Sequence, residues 1–213
     1  MFTMFHDTQI GSAPVGLSDL WGTNYTRVVE ADETALGGKV LRLTSSGNEN
    51  RLLAFTPPVE LEEPAACDMA VRWKASEITA IPRLLFWGDG SPGTENGYYS
   101  IYRTNGQLSS GLFRNGTAGT NEGVQRPFEP YEWYITRARI AYVSSQNQFR
   151  FQVKMWPANQ PEPSSWDHWT SNRLNELTPE GLPGLYFRGP GEALVDWIGV
   201  SWDTGIAPIP TVR

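Results

Sequence analysis

The sequence predicts an all-β protein built from two packed layers of antiparallel strands, and three observations favour this class. Apolar and polar residues alternate with a period of two along many short segments, as in strands that bury one face. Aromatic residues make up 12% of the chain, and its 21 Gly and 16 Pro residues suit strands joined by tight turns. Residues 133–156 have the pattern of one long hairpin, whose apolar face has to pack on a second sheet.

The hairpin at 133–156 is the clearest element in the chain. Its first half alternates between an apolar face, which includes Ala138 and Ile140, and a face that carries arginines, and the polar run SSQNQ forms the turn. The second half places Phe149, Phe151, Val153 and Met155 on the apolar face. The opposite face carries Arg137, Arg139, Arg150, Gln152 and Lys154, which we call the basic stripe. We expect this outward face to contact a partner.

The other strands follow in order, each bounded by Gly, Pro or polar turn residues. We predict strands at 2–7, 25–30, 39–44, 51–55, 68–75, 84–87, 98–103, 107–114, 185–188 and 194–202. Loops are predicted at 8–21, 57–64, 115–127 and 157–169, with a short helix near 172–177. About a dozen short strands favour a jelly-roll sandwich. We assign residues 1–204 to a single β-sandwich domain and 205–213 to an extended tail that packs on a neighbour.

Composition limits the class of partner. A net charge of −6 and a pI near 5.0 argue against nucleic acid, because binding phosphates requires a cationic surface. The single cysteine, Cys67, excludes an internal disulfide, and we interpret it as a small buried residue. There is no signal-peptide pattern and no apolar run of about 18 residues, so we expect a soluble protein made in the cytoplasm, with no membrane partner.

The order of several short motifs resembles the concanavalin A-like lectin/glucanase superfamily, in its laminin-G-like branch. The motifs are an N-terminal F-x-D strand, WYITRARI, FRFQVKMW followed by EPSSW, GLPGL and ALVDWIGV, and together they span residues 5–202. The resemblance implies an antiparallel jelly roll with a curved face. Small proteins of this type without a signal peptide resemble accessory components of tailed-phage virions, where such domains decorate capsids or sit on tails and fibres. We therefore expect a virion location, with other virion proteins, further copies of this chain or a cell-surface glycan as partners.

Asp196 is the candidate metal-binding residue. In ALVDWIGVSW the alternation places it on a face with Leu194, Ile198, Val200 and Trp202, where the pattern requires a hydrophobic residue. The resemblance implies an Asp at this point of the last strand that helps to hold a structural calcium ion, with Asp7 of the first strand nearby. The alternative is that Asp196 accepts hydrogen bonds from backbone N–H groups or pairs with an arginine. No dense cluster of acidic ligands favours calcium.

The basic stripe is the candidate contact surface, and we expect the rings of Trp87, Tyr99, Tyr102 and Trp156 near it. Aromatic rings stack on the apolar face of a sugar, while guanidinium and amide groups bind its hydroxyls or carboxylates. The alternative is an ordinary solvated sheet face, or one that docks on a neighbouring subunit.

Catalysis is not expected. A retaining glucanase needs two carboxylates about 5–5.5 Å apart, and its E-x-D-x-x-E signature does not occur here. Glu60, Glu62 and Glu63 come closest, but prolines flank them. His6 and His168 lie far apart in sequence and predict neither a catalytic triad nor a zinc site. The leading hypothesis is therefore a non-enzymatic structural or adhesive module. The alternatives are a carbohydrate-binding lectin domain and a divergent glycoside hydrolase.

Overall fold

The computed structural model describes residues 2–5, 7–14, 16–22, 25–48, 50–55, 66–90, 93–120, 122–143, 145, 148–173, 181–202 and 205–210. Over these residues the chain forms sixteen strands and one 3-10 turn, Ile78–Ala80. The strands are β1 Phe2–Met4, β2 Leu17–Trp21, β3 Thr26–Ala31, β4 Lys39–Ser45, β5 Arg51–Phe55, β6 Ala66–Ala75, β7 Arg83–Asp89, β8 Asn96–Tyr102, β9 Gln107–Arg114, β10 Thr117–Thr120, β11 Val124–Gln125, β12 Tyr134–Val143, β13 Gln148–Pro157, β14 His168–Arg173, β15 Leu182–Phe187 and β16 Gly191–Trp202. No helix within the described ranges is long and apolar enough to cross a membrane.

The described strands form two antiparallel sheets of eight strands each. Sheet A has the order β14-β13-β12-β6-β16-β4-β3, with β1 beside β16. Sheet B has the order β10-β9-β8-β7-β15-β5-β2, with β11 beside β9. Apolar side chains from the facing sides of both sheets form the main core. The predicted all-β, two-sheet sandwich is therefore confirmed.

The predicted hairpin corresponds to β12 and β13. The two strands pair along their whole length, from Tyr134 opposite Pro157 to Val143 opposite Gln148. Its apolar face lies in the main core, where Phe151 packs edge-on against Phe86 of sheet B at a centroid distance of 5.6 Å. Cys67 lies in β6 and also faces this core, where burial raises the pKa of its thiol.

Three short strands, β2, β10 and β11, lie where the sequence predicts loops, and a fourth, β14, begins in the predicted loop 157–169. All four are at or beside the ends of the sheets. Residues Thr117–Thr120 are exposed on both faces of β10, so alternation does not mark them. The helix predicted near 172–177 is wrong at its start, because Asn172 and Arg173 belong to β14. Residues 174–180 and the predicted connection 57–64 lie outside the described residues.

Sheet B is curved strongly enough to close over its own outer face. Trp21 in β2 and Phe113 in β9 have four strands between them, which would separate them by about 24 Å in a flat sheet. Their ring centroids are 5.9 Å apart. Tyr99 fits into this concave side because Gly111 lies beneath its ring, where a Cβ atom would come within 2.3 Å. The side chains of this concave cluster are Trp21, Leu52, Ala54, Leu85, Tyr99, Phe113 and Tyr186.

The segment 205–210, here called the C-terminal segment, lies across the outer face of sheet A. The side chain of Ala207 is buried in an apolar cluster with Trp156 and Trp197. Gly199 in β16 allows the close approach, because a Cβ atom there would lie 2.5 Å from the carbonyl oxygen of Pro208. The described part of the predicted tail therefore packs on the chain's own sheet through Ala207 and Pro208, and contact of the tail with a neighbour stays a prediction.

Candidate functional site

The basic stripe lies on the outer face of sheet A, and other segments of the chain cover its centre. The register places Arg137 opposite Lys154. The C-terminal segment and the loop 158–167 lie over this pair, and the two side chains are 6% and 8% exposed. These two cations are held inside the protein and are not presented to a partner.

Arg137 has a hydrogen-bond acceptor for each of its three nitrogens. Nε donates to Oδ1 of Asp68 at 3.0 Å, and Nη1 donates to Oε1 of Glu162 at 2.8 Å. Nη2 donates to the carbonyl oxygen of Ala207 at 2.9 Å, while the backbone N–H of Ala207 donates to Oδ1 of Asp68 at 3.0 Å. The centre of the stripe is therefore a network that attaches the two covering segments to the sheet.

Lys154 completes this network. Its Nζ lies 2.7 Å from Oε1 of Glu162 and donates to the carbonyl oxygen of Pro163 at 2.6 Å. Burial opposes ionisation of Glu162, but the hydrogen bonds from Lys154 and Arg137 outweigh it and lower the pKa of this carboxyl. Burial raises the pKa of Asp68, although Arg137 acts in the opposite direction. The network is a structural device, and sequence alternation alone does not distinguish it from a free basic surface.

The expectation that Trp87, Tyr99 and Tyr102 lie near the basic stripe is wrong. All three belong to sheet B, and each is at most 4% exposed. Trp87 has a φ of 54°, and the pairing of β7 with β8 shifts after Phe86, so Trp87 turns into the main core, which also contains Tyr102. Tyr99 lies in the concave cluster.

Trp156 does lie on the outer face of sheet A, but the C-terminal segment covers it. It is 3% exposed and packs with Ile135, Trp197 and Ala207. The members of the predicted set that remain half-buried at the surface are Arg139, Arg150 and Gln152. Glycan or partner contact through these three residues stays a prediction.

Asp196 lies on the outer side of sheet A and not among the core hydrophobic residues. The pairing of β16 with β6 is irregular between Val195 and Trp197, and the extra residue shifts the alternation. Val195, Ile198 and Val200 therefore face the core, while Asp196 does not. The expectation that Asp196 shares a face with Ile198 and Val200 is wrong for this reason.

The carboxylate of Asp196 already has a cationic partner. Nη1 of Arg72 donates to Oδ2, and so does the backbone N–H of Leu36 at 3.1 Å. The other oxygen, Oδ1, is buried without a hydrogen-bond partner among the described residues. This arrangement matches the alternative in which Asp196 pairs with an arginine and accepts from a backbone N–H group.

These surroundings do not fit the calcium ion that the resemblance implies. Calcium takes six to eight oxygen ligands, whereas Asp196 has one oxygen without a partner and a guanidinium beside it. Asp7 is exposed, while Asp196 is fully buried. Within the described part of the chain, no group of three or more His, Cys, Asp or Glu residues is placed to hold a metal.

A cleft of about 650 Å³ opens on the outer face of sheet A, beside the Arg72–Asp196 pair. Three connections surround it: the loop between β3 and β4, the segment that precedes β12, and the turn that follows β13. We call it the Trp133 cleft, and it is lined by Leu36, Arg72, Glu132, Trp133, Tyr134, Pro157, Ala158, Asn159 and Gln160. Its volume is typical of small-ligand sites, which span roughly 300–1,000 Å³.

Trp133 is held over β6 by two cations and two hydrogen bonds. The guanidinium carbon of Arg72 lies 4.2 Å from the ring centroid, and Nζ of Lys74 lies 4.5 Å from it. Arg72 and Lys74 are two positions apart and point to the same side of the strand, and Trp133 remains half-buried, so part of its ring is open to solvent. Nε1 of Trp133 donates to Oγ1 of Thr34 at 3.0 Å, and its carbonyl accepts from Ala158 at 2.8 Å.

The cleft also has polar groups that are not engaged by the protein. Glu132, Asn159 and Gln160 are exposed, and their side chains have no hydrogen-bond partner among the described residues. Two amides supply both donors and acceptors, and the carboxylate supplies acceptors. A half-buried aromatic ring beside such groups is an arrangement that binds the apolar face and the hydroxyls of a sugar.

The sequence pattern gives little reason to single out these residues. It assigns Trp133 to the start of the hairpin, and it assigns the amides of Asn159 and Gln160 to a proline-rich loop. The available signal is an aromatic residue immediately before a strand, opposite a polar turn after its partner strand. The third wall, the loop near Leu36, comes from a distant part of the chain and cannot be placed without the fold.

No protein-family model matches this chain, and no curated protein matches its sequence. Solved structures do match its fold. The carbohydrate binding module CBM66 from Bacillus subtilis has a TM-score of 0.54 at 12% identity, over 84% of this chain and 96% of that chain. Lectin I from Ulex europaeus, solved with the methyl glycoside of α-L-fucose, has a TM-score of 0.54 at 14% identity, over 95% and 98%. A protein of unknown function from Shewanella oneidensis MR-1 has a TM-score of 0.58 at 14% identity, over 99% and 88%.

These likenesses establish the class of fold. The chain is a concanavalin A-like jelly-roll sandwich, as the order of its sequence motifs implies. At 12–14% identity they show the fold and not the function.

Proposed function

We propose that this protein is a non-enzymatic adhesive module that binds a saccharide in the Trp133 cleft. The observation that carries the proposal is the cleft itself, with a fixed indole ring beside the unengaged side chains of Glu132, Asn159 and Gln160. The fold is also one on which a lectin and a carbohydrate binding module are built. The basic stripe, by contrast, uses Arg137 and Lys154 to hold its own covering segments.

The acidic residues of the cleft support a binding role over hydrolysis. A retaining hydrolase needs two carboxylates about 5–5.5 Å apart, and an inverting one needs two that are about 6.5–9.5 Å apart. Among the described lining residues, Glu132 is the one carboxylate. Asp196 lies beside the cleft and is paired with the lining residue Arg72. Incubation with a polysaccharide panel is expected to release no reducing ends.

A place in a phage particle is part of the same proposal. It depends on the resemblance of the sequence to accessory virion proteins, which decorate capsids or sit on tails and fibres. The partners would be other virion proteins or further copies of this chain, with the cleft left open towards a glycan. Electron microscopy of the particle, with the protein tagged, would show which face is covered. Occlusion of the Trp133 cleft by a neighbour would favour a purely structural role.

The binding proposal is tested by screening the protein on a glycan array and measuring the hits by calorimetry. Trp133→Ala is expected to weaken binding at least about tenfold, because it removes the stacking surface. Tyr142→Ala is the matched control, since Tyr142 is an exposed ring on the same sheet, 39% exposed, outside the cleft. Wild-type protein that binds no glycan, or equal weakening by both substitutions, would contradict the proposal.

A further inference from the structure

The cations around the Trp133 cleft are already neutralised by carboxylates of the protein. Arg72 forms an ion pair with the fully buried Asp196. Nζ of Lys74 lies 2.8 Å from Oδ2 of Asp32, and both of these side chains are 13% exposed. Burial opposes ionisation of Asp32, but hydrogen bonds from Lys74 and Thr34 outweigh it and lower the pKa of its carboxyl. Neither cation retains an uncompensated charge for an anionic ligand.

The one uncompensated charge among the described lining residues is negative. Glu132 is exposed at the mouth of the cleft, and its carboxylate forms no ion pair with a described residue. Its neighbours across the cleft are the neutral amides of Asn159 and Gln160. A ligand that carries a carboxylate or sulfate would meet like charge and no partner, whereas a hydroxyl can donate to Glu132 and accept from the amides.

From this charge arrangement we infer that the Trp133 cleft takes a neutral saccharide, and that Glu132 determines the selection against uronic acids and other acidic sugars. The inference rests on the proposed binding function and names the class of ligand. The neutral sugar stacks on the solvent-accessible part of the Trp133 ring, while its hydroxyls bind Glu132, Asn159 and Gln160. The Arg72–Asp196 and Lys74–Asp32 pairs contribute by keeping the floor beneath the ring electrically neutral.

The inference is tested with matched pairs of oligosaccharides. Cellotriose, maltotriose and galactotriose are each compared with the product of oxidation at C6, which keeps the rings and linkages and adds carboxylates. In wild-type protein the neutral member is expected to bind at least about fivefold more tightly than its uronate, which is the scale of one exposed like-charge contact. Added salt is expected to reduce this ratio, because it screens the repulsion.

The same affinity ratio is measured for the variant Glu132→Gln, where it is expected to be close to one. A change in affinity that is equal for the neutral sugar and its uronate does not alter this ratio. Glu129→Gln is the control, because Glu129 is an exposed carboxylate in the same loop that does not line the cleft. A uronate that binds wild-type protein as tightly as its neutral partner, or an unchanged ratio in Glu132→Gln, would overturn the inference alone. Absence of binding by either member of every pair would contradict both the inference and the proposed function.

Discussion

The outer faces of the two sheets are buried in different ways. In sheet B, curvature brings Trp21 and Phe113 together, and the aromatic side chains of the sheet's own strands fill the concave side. In sheet A, segments from outside the strands cover the face, and charged side chains such as Arg137 and Asp68 attach them. A face filled by its own side chains leaves no room for a ligand. A face covered by separate connections leaves gaps where they meet, and the Trp133 cleft is one of them.

The difference also explains why residue type alone misleads about function. Aromatic residues are the usual platform for sugars, yet Tyr99 in the concave cluster is 1% exposed and serves packing. Burial raises the pKa of Tyr99 to about 12, which is consistent with a phenol held away from water. Arginine is the usual binder of anions, yet Arg137 binds the chain's own carboxylates and backbone.

The largest expected effect comes from opening the concave cluster. Trp21→Ala should lower the free energy of unfolding by about 4 kcal/mol, because it removes a fully buried ring that contacts Phe113 and Tyr186. Trp21→Phe keeps most of the ring and removes an indole N–H that is buried without a partner among the described residues. Its cost should be within about 1 kcal/mol. Urea denaturation measures both variants. An equal loss in free energy of unfolding would show that the volume of the Trp21 ring is not what stabilises the concave cluster.

A somewhat smaller effect is expected from the network on sheet A. Arg137→Met should lower the free energy of unfolding by about 3 kcal/mol, because Asp68 would be left buried without its main cationic partner. Arg139→Met is the matched control on the same face of the same strand, half-buried, and it should cost less than about 1 kcal/mol. If the two variants melt alike, the charged network does not hold the covering segments.

A third prediction concerns the contact between the two sheets at their edges. Nε2 of His168 in sheet A lies 3.1 Å from Oγ of Ser110 in sheet B, and burial lowers the pKa of His168. A lowered pKa means that the unfolded chain binds the proton more readily. The stability from neutral His168 is therefore present above the ordinary value of 6.5 and is lost as the pH falls towards the folded-state pKa. His168→Gln should reduce the fall in melting temperature that the wild-type protein shows between about pH 7.5 and pH 5. An unchanged pH profile would rule out this linkage.

The smallest expected effect is that of a chelator. Since Arg72 already neutralises Asp196, removal of divalent cations should change the melting temperature by less than about 1 °C. A higher melting temperature in the presence of calcium would contradict this prediction and would support the calcium site at Asp7 and Asp196 that the resemblance implies.

The fold could be predicted from the sequence to a large extent because alternation reports burial locally. The hairpin of β12 and β13 pairs as the alternation predicts. The strand at 51–55 has the predicted bounds, although all five of its residues are buried. Alternation fails where a strand is exposed on both faces, as in β10, and where a bulge shifts its phase, as at Asp196. It also cannot show that Trp87, with its positive φ, turns towards the core.

The site could be predicted far less well, because its parts come from separate connections. Leu36, Trp133 and Asn159 meet only after three loops are placed on sheet A. The alternation does place the basic stripe on the outward face of β12 and β13. It contains no information about the C-terminal segment, which lies on the same face and removes Arg137 from solvent.

The position of β16 has a consequence for how the polypeptide acquires its structure. Residues 191–202 pair with β6 on one side, with β4 on the other and with β1 further along, so they join the two halves of sheet A. Until the ribosome has synthesised β16, β4 and β6 each have an unpaired edge, and β1 lacks the strand with which it pairs. Such long sequence separation slows the search for native pairings, and open edges invite association between nascent chains. Folding of sheet A is therefore expected to complete only after β16 has been synthesised.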